Sequence, residues 1–179
     1  VDTTDLHSVV PPGFVSAEWS GGPNPTGDPG SLVIGTVNQA TNSAGWTYTV
    51  ADGALDYLAA GETLTITYNV AVRDDSATGN DTSVVQQVVV TITGSNDQPV
   101  IEASSVLADT ITEQAATTGS VTPMTADGSI SFSDVDTTDQ HSVVTPTLAS
   151  VVWSGGPGAT DPGTLVIGAV NQATNSAGW

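Results

Sequence analysis

Apolar and polar side chains alternate along several short segments of this chain. In residues 62–72, five apolar side chains share one face, and Thr and Asn side chains occupy the other. The apolar ones are Leu64, Ile66, Tyr68, Val70 and Val72. A period of two is typical of a half-buried β-strand, because successive side chains point to opposite faces. The same alternation predicts strands around Leu32, Trp46, Val88 and Ile130, with Trp46 in the core.

No segment shows a sustained helical period, and the apolar stretches are separated by Gly, Pro, Asn and Asp. This punctuation favours an all-β fold of immunoglobulin-like or cadherin-like sandwiches with Greek-key connections, about seven strands in each. Residues 51–61 are the exception, since their leucine spacing allows a short helical turn at a corner between strands.

Two segments of the chain are closely similar. Residues 1–46, the first copy, recur as residues 135–179, the second copy, at a period of about 133 residues. This period is too long for a solenoid repeat, so each copy is expected to belong to a separate domain of a tandem array. We predict later strands of one sandwich in residues 1–95, a linker at 96–99, and early strands of the next in 100–179.

The charge balance is strongly acidic. The chain has 19 acidic residues, mostly Asp, one basic residue, Arg73, and a formal net charge of -18. Nucleic acid is therefore not expected as a partner. Excess Asp favours short loops that bind hard cations such as Ca²⁺, although an acidic surface serving only solubility is the alternative. Without Cys there can be no disulfide, and no apolar run predicts a membrane span.

Three segments carry a family resemblance. They are GSISFSDVDTTDQHSV at 128–143, the WTYTVADG block at 46–74 and VVVTITGSNDQPV at 88–100. In this order they resemble the VCBS repeat, a cadherin-like module of giant bacterial RTX-type surface adhesins. The resemblance implies an extracellular protein, on the bacterial surface or secreted, whose repeats are extenders that support adhesion or biofilm formation. Such repeats are usually nearer 100 residues, which leaves the early strand order open.

The resemblance also implies calcium between neighbouring domains, because cadherin-like modules bind it there. The matching positions are Asn96 and Asp97 of the linker, Asp134 and Asp136 of the following domain, and Glu113 for the next boundary. Asp74 and Asp75 end the strand that contains Leu64, and we expect them to reach the same linker. Ordinary turn chemistry is the alternative interpretation of these Asp and Asn residues.

Single residues and motifs bear on three other functions: catalysis, sugar binding and filament assembly. No nucleophile motif is present, so we do not expect an enzyme. Trp19 and Trp153 are candidate sugar-stacking residues of a carbohydrate-binding adhesin module. His7 and His141 are interpreted as surface residues of strands. Because each half holds only part of a sandwich, a filament of separate copies joined by β-strand exchange is a second structural hypothesis.

Overall fold

The computed structural model describes residues 5–76, 79–156 and 160–179, and these form antiparallel β-sheets without an α-helix. The all-β prediction is confirmed, as are the strands around Leu32, Trp46, Leu64, Val88 and Ile130. The strands are β1 (Ser8–Trp19), β2 (Gly30–Ile34), β3 (Trp46–Val50), β4 (Thr63–Arg73), β5 (Gln86–Thr93), β6 (Val100–Ile101), β7 (Ser129–Ser133) and β8 (Ser176–Gly178).

The chain divides into two compact units. The first contains Val1–Asp97 together with Val135–Thr138, and the second contains Gln98–Asp134 and Asp139–Trp179. The change at Asp97 lies inside the predicted linker 96–99. Residues Val135–Thr138 nevertheless belong to the first unit, although the sequence assigns them to the second domain.

The first unit contains a three-stranded sheet with the order β1-β4-β5 and a hairpin formed by β2 and β3. Leu64, Ile66 and Tyr68 of β4 alternate with half-buried threonines, as predicted. The alternation continues to Val70, which packs against the core, and then breaks: Ala71 is buried and Val72 is exposed, so placing Val72 on the buried face is wrong. The reason is an irregularity in β1 between Val10 and Gly13, opposite this part of β4, which shifts the register.

The core of the first unit draws on both sheets and on the corner between β3 and β4. Its buried members are Ala17, Leu32, Leu58, Leu64, Ile66 and Tyr68. The corner contains a 3-10 helix, Asp52–Ala54, which confirms the predicted helical turn. Trp46 is exposed, so its predicted core position is wrong: Tyr48, two residues along β3, packs against the core instead.

The second unit has a smaller sheet with the order β6-β7-β8. Ile130 and Phe132 of β7 are half-buried, and Ala177 is the one hydrophobic residue of the described part of this unit that is fully buried. Residues 142–153 and 163–167 are the counterparts of β1 and β2, yet they form no strand here.

One hairpin recurs in both copies with the same hydrogen bonds. Asn38 bridges Ser43 in the first copy, and Asn171 bridges Ser176 in the second. The N–H of Gly35 donates to Gly45 O, and that of Gly168 donates to Gly178 O, both at 2.8 Å. Each hairpin also carries a reciprocal pair, in which a Gln side chain of the turn accepts from a His backbone N–H and donates to the carbonyl of the same His. These pairs are Gln39 with His7 and Gln172 with His141.

Candidate functional site

The segment after β5 leads to a buried carboxylate in the first unit. The backbone N–H of Asp97 donates to Oδ2 of Asp136 at 2.8 Å. Asp136 is 1% exposed and is the buried acidic residue of the described chain. A carboxylate can be buried because hydrogen bonds to its oxygens offset part of the lost hydration. The predicted ligands Asp97 and Asp136 are thus in contact through the backbone N–H of Asp97.

A second carboxylate, Glu62, lies at the centre of a hydrogen-bond network in the same unit. Its Oε1 accepts from the Thr138 hydroxyl at 2.6 Å. Its Oε2 accepts from Trp19 Nε1 at 2.9 Å and from the Ala59 N–H at 3.1 Å. These bonds, that of Thr138 above all, hold the pKa of Glu62 below its usual value although partial burial opposes them. Sequence reasoning missed Glu62 and Thr138 as site residues, although both lie in segments that carry the family resemblance.

Three carboxylates line a small cavity beside the end of β5. Asp52 and Asp56 come from the 3-10 corner and Asp97 from the linker, and the cavity measures about 130 Å³. Gly94 is required at its edge, because a Cβ there would lie 2.2 Å from the carbonyl oxygen of Leu58. The sequence analysis did not single out Asp52 or Asp56, because nothing local places them near the linker.

Asp74 and Asp75 lie at the other end of this sheet. Because β4 and β5 are antiparallel, the linker that follows Thr93 begins beside Thr63, whereas Asp74 follows Arg73. The eleven residues of β4 separate these ends by about 36 Å, at ~3.3 Å per residue. The expectation that Asp74 and Asp75 reach the linker therefore does not hold.

The two residues have other partners instead. Oδ1 of Asp74 accepts from the Ser76 hydroxyl at 2.5 Å, and that bond lowers the pKa of Asp74. Oδ1 of Asp75 accepts from the Leu6 N–H at 2.9 Å. The bond between Asp74 and Ser76 is of the kind that Asp makes in turns, the alternative interpretation raised by the sequence.

Asp134 pairs with a histidine in the second unit. His141 Nε2 lies 2.9 Å from Asp134 Oδ2, and the two side chains are 12% and 3% exposed. The His141 ring also packs against Phe132, with ring centroids 4.8 Å apart. The interpretation of His141 as a surface residue of a strand is wrong, because its side chain is largely buried and its segment forms no strand. Glu113, by contrast, is exposed.

The described residues do not preassemble a metal centre. Within residues 5–76, 79–156 and 160–179, no three His, Asp or Glu side chains are grouped closely enough to hold one ion. Ca²⁺ takes six to eight oxygen ligands, and the nearest approach to such a set is the Asp97–Asp136 contact with the carboxylates of Asp52 and Asp56 near Asp97. Calcium binding stays a prediction.

The two candidate sugar-binding tryptophans have different environments. Trp19 is half-buried and meets Tyr57 edge to face, with centroids 4.9 Å apart. Its indole N–H is bonded to Glu62, so its ring belongs to the packed interior of the first unit. Trp153 is 59% exposed, and a Cβ on Gly155 would collide with its ring. Sugar binding stays a prediction, and Trp153 offers the more accessible ring.

Comparison with known proteins adds no family to this description. In the part of the chain that the structure describes, no helix is long and apolar enough to cross a membrane. No protein-family model, no curated protein and no solved structure matches the chain.

Proposed function

We propose that this chain is part of a tandem-repeat extender, a mechanical spacer of a bacterial cell-surface or secreted adhesin, related to VCBS and cadherin-like modules. The observation that carries the proposal is the recurrence of the sequence of residues 1–46, in closely similar form, at 135–179, with the same hairpin in both copies. Repetition of one β-structure is what an extended array requires, because length then grows with the number of domains.

Calcium is the proposed stiffening agent. A chain with a net charge of -18 and a single Arg repels itself, and a divalent cation at the linker would relieve that repulsion. Asp97 and Asp136 are the proposed ligands with the best support, since they already meet, and Asn96 and Asp134 adjoin them in sequence. Because no complete site is preassembled, binding would be coupled to ordering of the linker.

Thermal unfolding of the full chain tests this proposal. We expect Ca²⁺ at a hundredfold excess over its Kd to raise the free energy of unfolding by about 2.7 kcal/mol relative to chelator. Mg²⁺ is the control for nonspecific screening. The Asp97→Asn variant should lose the Ca²⁺ effect, and the Asp74→Asn variant, at the far end of β4, should keep it. An equal shift with both cations, or no shift, would contradict the calcium role.

An extracellular filament joined by β-strand exchange is a second candidate, favoured by the exposed apolar side chains of the second copy. Electron micrographs combined with dilution separate the two functions. An extender keeps its contour length on dilution, whereas a filament of exchanged strands shortens. A carbohydrate-binding module is the third candidate, and glycan binding lost in Trp153→Ala would support it.

A further inference from the structure

The two aspartates that follow β7 belong to different units. Asp134 lies in the second unit, whereas Asp136 lies in the first. In an extended strand, side chains two residues apart share a face, so a continuous strand would present both carboxylates to one cation. However, β7 ends at Ser133, and its alternation does not extend through these residues. The direction of each carboxylate is therefore set by its own partner.

The partner of Asp134 is the imidazole of His141. Oδ2 of Asp134 lies 2.9 Å from Nε2 of His141, and the Asp134 side chain is 3% exposed. An ionised carboxylate has no proton to donate, so this contact assigns the ring proton to Nε2, with His141 as the donor. A carboxylate buried to this degree depends on such a donor, because burial removes the water that would otherwise solvate it.

His141 is itself fixed at its ring and at its backbone. The ring of Phe132 packs against the imidazole, with centroids 4.8 Å apart and planes inclined by 57°. The Gln172 side chain accepts from the His141 N–H at 3.0 Å and donates to its carbonyl oxygen at 2.6 Å. Gln172 belongs to the hairpin that recurs in both copies, and Gln39 holds His7 in the same way. The hairpin thus fixes the backbone from which the imidazole reaches Asp134.

A calcium ion would have to take Asp134 from this partner. If the Asp134 carboxylate turned to a cation, the Nε2–H of His141 would lose its acceptor inside the second unit, and a buried donor without an acceptor is costly. Asp136 differs, because its bond comes from the backbone N–H of Asp97, in the linker itself. The Asp97 side chain is exposed and can turn to a cation without losing a buried bond.

We propose that His141 is a positioning residue that commits the Asp134 carboxylate to the interior of the second unit, so that calcium at the linker is bound without Asp134. The cation part of this inference rests on the proposed function, whereas the pairing of His141 with Asp134 does not. The inference departs from the ligand set that the family resemblance implies, since it leaves the linker with one carboxylate fewer. Because affinity for Ca²⁺ depends on the number of charged ligands, the linker site is weaker than one that uses both aspartates.

Carbon-13 spectra of the unaltered full chain test the inference directly. When CaCl₂ is added, we expect the carboxyl carbon signal of Asp97 to shift. The carboxyl carbon of Asp134 and the ring signals of His141 should stay in place, because calcium does not disturb their pairing. MgCl₂ at the same concentration is the control for screening by ionic strength. A calcium-specific shift of the Asp134 carboxyl carbon would overturn the proposal.

Two variants separate positioning from packing. His141→Leu removes the donor and keeps an apolar side chain, whereas His141→Gln keeps an N–H donor. We expect the Asp134 carboxyl carbon to respond to calcium in the Leu variant and to stay in place in the Gln variant. The amide signal of Gly168, whose N–H closes the hairpin, shows whether each variant keeps the local structure. Identical behaviour of the two variants would contradict the positioning role.

A measurement in chelator keeps the pairing and the calcium role apart. Asp134→Asn and His141→Leu should each lower the melting temperature of the second unit by roughly 4–8 °C, because each leaves a buried partner unmatched. The double variant should lose no more than the larger single loss, since both changes break one interaction. Fully additive losses would rule out the pairing. If the losses are not additive but no carboxyl signal of the chain responds to calcium, the proposed calcium role fails, and with it the cation part of this inference, while the pairing stands.

Discussion

The two copies share much of their sequence, most closely around the hairpin, but only part of their structure. The hairpins at residues 38–43 and 171–176 have the same bridge and the same closing hydrogen bond at Gly35 and Gly168. Residues 8–19 form a twelve-residue strand, whereas their counterparts 142–153 form none. The hairpin, which depends on local turn chemistry, thus appears in both copies. The long strand, which depends on a partner distant in sequence, appears only in the first.

The physical reason is the range of the interactions. Each hairpin is closed by an Asn with positive φ, Asn42 at 51° and Asn175 at 45°, and by an Asn side chain that accepts a backbone N–H two residues on. Asn adopts the left-handed region more readily than most residues, and these bonds lie within a few residues. β1 instead depends on β4, more than forty residues away, for its hydrogen bonds and its buried face. Strand propensity alone does not supply those partners.

The largest expected difference between the copies is at Leu32 and Leu165. We expect Leu32→Ala to lower the free energy of unfolding of the first unit by about 2–5 kcal/mol, because it leaves a cavity in a packed core. Leu165→Ala should change stability by no more than about 0.5 kcal/mol, since the side chain is largely exposed. Urea unfolding followed by circular dichroism measures both. Equal losses would mean that the second copy is covered in solution.

The sequence predicted what is encoded locally. The alternation in residues 62–72 identified β4 and its inward Leu64, and leucine spacing identified the turn near Asp52. The alternation alone does not predict which side chains are buried where the neighbouring strand is irregular. Val72 was misplaced because β1, its neighbour, has such an irregularity between Val10 and Gly13.

The candidate site was less predictable because it combines residues distant in sequence. The family resemblance predicted Asp97 and Asp136 as ligands, and the N–H of Asp97 does bond to the Asp136 carboxylate. Asp74 and Asp75 were grouped with them by their position at a strand end, but antiparallel pairing puts that end away from the linker. Glu62 and the His141–Asp134 pair have no local signature, since their partners are set by tertiary packing.

A smaller effect should be equal in the two copies. Asn42→Ala and Asn175→Ala each place alanine at a positive φ, a conformation that alanine adopts less readily than asparagine. We expect each change to cost about 1 kcal/mol of hairpin stability. Amide exchange of Gly35 and Gly168, whose N–H groups close the hairpins, should accelerate about fivefold in the respective variants. Glycine at the same positions should have little effect. If only one copy responds, its hairpin depends on contacts outside the local sequence.

The smallest effect is lost in acid and belongs to the first unit alone. Hydrogen bonds hold the folded-state pKa of Glu62 below the usual value of 4.5. Its stabilisation is therefore complete above that value and is lost as the pH falls through the lowered folded-state pKa. Glu62→Gln removes this contribution, so the difference in stability between the parent chain and the variant should shrink as the pH falls from 7 to 3.

Two tryptophan signals make this last experiment specific to one copy. The indole N–H of Trp19 donates to Glu62 and should shift in the proton spectrum as Glu62 becomes protonated, or when Glu62 is replaced by Gln. The indole signal of Trp153, its counterpart in the second copy, should not follow Glu62. Glu18→Gln, an exposed change on β1, controls for the loss of one charge. If both indole signals titrate together, segment 46–95 contacts both copies, and the contrast between a covered and an uncovered copy does not hold in solution.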